Sequence, residues 1–157
     1  MTDARYEDGT EVPLHLVAQD AADLKVISAL LQDAVLPVTE MRLDRKARRF
    51  ALLLNRFRWE DRPAAEAAGR AYERVRAVLV VEDVLSVQTS GFDRADADLV
   101  LSVLALEYQP GEDGTGRLTF VLAGDGAVAL EVEALEVRLE DVTRPYRAPS
   151  GKLPTHG

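Results

Sequence analysis

Arginine, asparagine and tryptophan fall together in one stretch of this chain, and their types suit anion recognition better than bond breaking. Residues 42–62 hold eight arginines and lysines against three acids, a local charge of +5. The other 11 basic and 24 acidic residues carry −13, within an overall −8. The stretch also contains Trp59, the only tryptophan. The guanidinium is a planar fork of donors matched to carboxylate and phosphate. Arginine and tryptophan are also enriched at the centres of binding interfaces. The candidate binding residues are therefore Arg49, Asn55, Arg56, Arg58, Trp59, Arg74 and Arg76. Arg56 and Arg58 are expected to project from one face of a strand, with Phe57 and Trp59 on the other. Arg74 and Arg76 would extend the patch if their strand adjoins. The competing reading is a hairpin with a solvated basic face, since charge on strands often protects an edge.

Other chemistry is thinly supplied. The histidines are His15, which alternates with Leu14 and Leu16, and His156, near the chain end. Neither is placed to serve a nucleophile as base. No serine lies in a Gly-x-Ser-x-Gly elbow. Asp93, Asp96 and Asp98 lack the spacing and glycine of a calcium loop. Glu131 and Glu133 alternate with apolar residues, as on the outer face of a sheet. No catalytic residue, metal ligand or cofactor is assigned, and the balance falls against an enzyme.

Composition bounds the rest. At 157 residues with 47% apolar content, the chain reads as one soluble domain. The absence of cysteine excludes disulfides and sulfur-held metals, and fits a reducing cytoplasm. The acidic start, Met1 to Glu11, lacks the basic and apolar regions of a secretory signal. The run Val78–Val81 is too short to cross a bilayer. A net charge of −8 disfavours general nucleic-acid binding, which needs basic surface to displace counterions.

These residues need elements to hold them. Asp20 reads as an N-cap, with Leu24, Ile27, Leu31 and Ala34 at helical spacing and Val26 and Leu30 widening the stripe; Pro37 stops it. One helix is expected near 21–35. A period of two then runs from Val38 to Leu43 and, beyond the turn at 44–47, from Arg48 to Trp59. Residues 60–71 read as a connection with a helical turn at most. Residues 75–81 and 84–89 read as a hairpin, although Glu82-Asp83 is not a favoured turn. Residues 99–108 read as a strand. Gly124-Asp125-Gly126 between two alternating runs is a strong hairpin signal. Residues 134–142 fit helix or strand, and the alternation upstream favours strand. The expected fold is α+β: a mainly antiparallel sheet curling towards a barrel or roll, with one N-terminal helix packed on it. Its boundaries are a flexible N-terminus (1–13), a single domain (14–142) and a flexible tail (143–157).

Several segments taken together resemble a known family: Leu31 to Val35, Arg49 to Glu60, Arg74-Val75-Arg76, Leu122 to Ala127 and Leu130 to Glu133. They are similar to the DUF2948 family of small bacterial proteins of unknown function, found mainly in alphaproteobacteria, over roughly residues 14–145. The resemblance implies a cytoplasmic bacterial protein. It brings no activity, cofactor or catalytic residue.

The expected role is a non-enzymatic binding or protein-interaction module. It would use the basic and aromatic surface to meet an acidic partner, or its own acidic face in a homodimer. The alternative is a binder of small anionic metabolites, or an enzyme with an arginine-lined site. RNA binding ranks third, for want of a recognition motif.

Overall fold

In the computed structural model, residues 13–148 and 153–154 are described. Eleven strands form one sheet: β1 (His15–Ala18), β2 (Val35–Pro37), β3 (Met41–Asp44), β4 (Arg49–Phe57), β5 (Glu73–Val81), β6 (Val84–Ser90), β7 (Val100–Pro110), β8 (Gly116–Leu122), β9 (Ala127–Val132), β10 (Val137–Asp141) and β11 (Tyr146–Arg147). Their order is β1-β10-β5-β4-β2-β7-β8-β9-β6, with β3 also on β4 and β11 also on β5. Every pairing is antiparallel. The sheet bends so that its inner faces share one core, where Phe50 of β4 meets Phe120 of β8 edge to face at 6.3 Å. It stays open: β1 and β6 are edges, so the curl expected from the sequence stops short of a barrel.

Helix α1 (Ala21–Leu30) forms where the cap and spacing place it. The Asp20 side chain accepts the Asp23 N–H at 2.8 Å, satisfying one of the free donors of the first turn. Leu24, Ile27 and Leu31 enter the core, whereas Val26 is 53% exposed, so the apolar stripe is narrower than the sequence suggested. Ser28 Oγ accepts the Leu106 N–H at 2.9 Å and fixes the helix to β7. The helix stops earlier than residue 35. Asp33 takes a left-handed φ of 64°, and its N–H goes to Val103 O. The chain then enters β2 instead of continuing the helix.

Three further expectations are corrected. The strand expected from residue 38 begins later: Val38–Glu40 form a 3-10 turn that separates β2 from β3, and only Met41–Asp44 are strand. The connection at 60–71 contains a second helix, α2 (Arg62–Ala68), with Pro63 in its first turn and Gly69 at φ 66° closing it. The hairpin expected of β5 and β6 does not exist: β5 pairs with β4 and β10, and β6 with β9. Asp83, at φ 56°, turns the chain through a corner, and its carbonyl accepts the Glu133 N–H at 2.9 Å.

The hairpin at Gly124-Asp125-Gly126 joins β8 to β9, with Val121 opposite Ala127. Residues 137–141 are the strand β10. Within the stretch expected as a tail, Tyr146–Arg147 form β11 on the start of β5. Residues 1–12 of the expected flexible N-terminus lie outside the described residues, as do 149–152 and 155–157 of the tail.

Candidate partner-binding face

β4 carries Arg49, Asn55 and Arg56 and β5 carries Arg74 and Arg76, and the alternation of the two strands sorts them. Phe50, Leu52 and Leu54 point into the core, so Arg56 shares their face. It is 0% exposed. Its Nε and Nη2 donate to Asp141 Oδ1 and Oδ2 at 3.0 and 2.9 Å. Nη1 and Nη2 donate to Glu60 Oε1 and Oε2 at 2.9 and 2.7 Å. The guanidinium is thus forked between two carboxylates, and Asp141 Oδ2 also accepts the Leu14 N–H of the chain entering β1. Burial alone would lower the Arg56 pKa, but the hydrogen bonds and charges of Glu60 and Asp141 outweigh it and raise it. Glu60 is balanced the same way: burial pushes it up, yet Arg56 holds it below its ordinary value of 4.5.

The charge network continues through the turn after β4. Arg58, also buried, donates to Glu73 and lies 3.7 Å from Asp61. Arg70, beyond α2, reaches back to Asp61 with two hydrogen bonds of 2.7 and 2.6 Å. Those bonds hold the Asp61 carboxyl below its ordinary value. Trp59 lies in the 3-10 turn Trp59–Asp61; its Nε1–H donates to Gln32 O at 2.9 Å and its ring lies 4.6 Å from Phe57. This end of the molecule is a structural knot of internally matched charges.

The opposite face of the same strands is different. Asn55 is opposite Arg76, and Phe57 opposite Arg74, in the β4–β5 pair. The Arg74 guanidinium crosses β4: Nε donates to Asn55 Oδ1, and Nη2 donates to Asn55 O and Asp33 O at 3.0 and 3.2 Å. Asn55 Nδ2 in turn donates to Tyr146 OH, so β11 helps to orient the cluster. Burial lowers the Arg74 pKa, weakly opposed by Tyr146 and Asp33. An arginine remains charged throughout the accessible pH range. Arg76 is exposed. Among the described residues neither Arg74 nor Arg76 makes an ion pair, whereas Arg48, Arg49, Arg56, Arg58, Arg62, Arg70, Arg117 and Arg138 all do.

Beside Arg76 and Asn55 runs a groove of about 240 Å³, where β2 ends at Pro37 between β4 and β7. Val35, Pro37, Leu53 and Val100 supply its apolar lining, with Asn55, Arg76 and Glu40 as its polar side chains. Val100 is 60% exposed. Leu53, Val78 and Val80 continue a half-buried apolar strip across β4 and β5. A second, wider trough of about 450 Å³ crosses β6, β9 and β8 between Gln88, Thr119 and Arg117; Arg117 is committed to Glu131 at 3.2 Å.

The seven predicted residues therefore divide. Asn55, Arg74 and Arg76 come together on the outer face. Arg56, expected to project outward, is on the inner face and buried. Arg58 is buried in the turn and tied to acids, and Trp59 has left the strand for the 3-10 turn. Arg49 starts β4, six residues from Asn55, and donates to Glu82 at 2.8 Å. The guanidinium that reaches the Asp33 backbone is that of Arg74. Tyr146, Pro37 and Val100 escaped the sequence reading. Tyr146 lay in a supposed tail, and nothing local marks β2 as stopping short of its neighbours.

The family model for a protein of unknown function, DUF2948, matches residues 14–156. The chain belongs to the DUF2948 family. No curated protein and no solved structure matches it. The matched span includes both the Arg56 knot and the outer cluster of this DUF2948 chain. No helix among the described residues is long and apolar enough to cross a membrane.

Proposed function

We propose that this DUF2948 protein is a non-enzymatic cytoplasmic module that binds an acidic protein partner through the outer face of β4, β5 and β2. One observation carries the reading: Arg74 and Arg76 are the arginines of the β4–β5 pair that make no ion pair among the described residues, and Arg76 borders exposed apolar surface. An apolar centre with a charged rim is the usual anatomy of an interface. The small groove favours a protein partner over a metabolite, because sites for small ligands usually enclose about 300–1,000 Å³. Arg56 and Arg58, saturated by their own acids, have no part in it.

A selection of displayed random peptides against the purified protein tests this. The expected outcome is enrichment of acidic peptides whose binding is lost in the double variant Arg74→Ala/Arg76→Ala. Peptides without an excess of acids, or binding that ignores both substitutions, would overturn it. Light scattering across a salt series addresses the acidic face of a second copy as the partner. A dimer that dissociates as salt rises and is abolished by the same substitutions would replace the hetero-partner with a homodimer.

A further inference from the structure

The groove also indicates which feature of a partner is read. Arg74 has Nε and Nη2 committed to Asn55 and Asp33 O, which fixes the plane of the guanidinium and leaves Nη1 without a hydrogen-bond partner among the described residues. Arg76 is two residues along β5 on the same face, opposite Asn55. The apolar part of the groove, over Val35, Pro37, Leu53 and Val100, adjoins Arg76 and Asn55, the side chain that Arg74 holds. Its volume of about 240 Å³ lies below the range of pockets for small-molecule ligands, so it suits a side chain presented by a longer segment.

Glu40 borders the same groove and makes no ion pair with Arg76 among the described residues. A carboxylate at that rim opposes dense negative charge such as a phosphate dianion, and the chain as a whole is at −8. It tolerates a single carboxylate held at the Arg74 and Arg76 end.

Resting on the interaction reading above, we infer that the groove recognises an acidic peptide segment in which an apolar side chain stands next to one carboxylate. The apolar side chain occupies the groove at the end of β2. The carboxylate meets Arg74 Nη1 and Arg76. Geometry supplies the preference: Arg74 is held in advance by Asn55, itself held by Tyr146, so little ordering is left for binding.

Two capped peptides, acetyl-Ala-Leu-Glu-Ala-amide and its Gln counterpart, titrated into ¹⁵N-labelled full-length protein, test the inference alongside inorganic phosphate at equal ionic strength. The Glu peptide should shift the Asn55 side-chain amide and the backbone amides of Val35, Leu53 and Val100. The Gln peptide should bind at least about tenfold more weakly, and phosphate should not shift these signals. In Arg76→Gln, an exposed position whose side chain makes no hydrogen bond or ion pair among the described residues, the Glu peptide should fall to the level of the Gln peptide. Equal binding of the two peptides would overturn the carboxylate inference while leaving the face as an interaction surface. Saturable phosphate shifts at the same residues would overturn it in favour of a free-anion site. If peptides selected by display bind but shift none of these residues, the interaction reading of this face falls with it.

Discussion

Arg56 shows what a single residue's position decides. It follows Phe50, Leu52 and Leu54 at steps of two, so the alternation already puts it on the core face. Treating it as part of a basic surface set charge above periodicity. What the sequence could not show was its compensation: Glu60 is four residues away, but Asp141 is 85 residues away and meets it through β10. A buried arginine between two carboxylates is costly to unmake, because either partner left alone is a desolvated charge. Arg56→Ala should therefore lose about 3–5 kcal/mol of unfolding free energy in a urea titration. Arg76→Ala, on the exposed face, should change it by under about 0.5 kcal/mol. The same network gives an acid limb. The folded-state pKa of Glu60 is depressed below its ordinary 4.5 and that of Asp61 below 3.8. Their stabilisation is then complete above those ordinary values and is lost as pH falls through the folded ones. Stability should be flat near neutrality and decline below about pH 4.5, more shallowly in Glu60→Gln; circular dichroism with urea at several pH values measures the slope.

At the scale of elements, the local signals were dependable and the pairings were not. Asp20 caps α1 and Gly124-Asp125-Gly126 closes a hairpin because both depend on residues three or fewer apart. The β5–β6 hairpin failed because two alternating runs with a short link fit a corner as well as a turn. Only the partners β10 and β9, more than 35 residues downstream, distinguish them. The weak turn residues Glu82-Asp83 were the one local warning. The start of the 38–43 stretch is similar: a 3-10 turn at Val38–Glu40 separates β2 from β3, and it puts Glu40 beside the groove at the end of β2. Where β6 ends, Gly91 has φ 77°, and a Cβ there would strike the Asp125 carbonyl and come within 2.8 Å of Gly126 Cα. Gly91→Ala therefore joins backbone strain to a collision with the β8–β9 turn. It should destabilise by more than about 1 kcal/mol, with the largest loss of amide-exchange protection in β6, β8 and β9.

For the whole molecule, the charge contrast that marked residues 42–62 is mostly an internal affair. The basic island lies in a chain of −8, and Arg48, Arg49, Arg56 and Arg58 each find an acid: Glu133, Glu82, Asp141 and Glu73. The fold class was legible because antiparallel strands and one capped helix write period and punctuation into the sequence. The candidate site was legible only in part, as Asn55, Arg74 and Arg76. Their grouping depends on β4 and β5 adjoining, and on which arginines the distant acids consume. The central claim is that, of the four arginines in the β4–β5 pair, Arg74 and Arg76 are left over for a partner and Arg49 and Arg56 are not. Calorimetric affinity of a display-selected acidic peptide for wild type, Arg76→Ala and Arg49→Ala tests that division most directly. The account predicts at least about a tenfold loss, 1.4 kcal/mol, in Arg76→Ala and wild-type affinity in Arg49→Ala. Equal losses in both variants, or no loss in either, would contradict it.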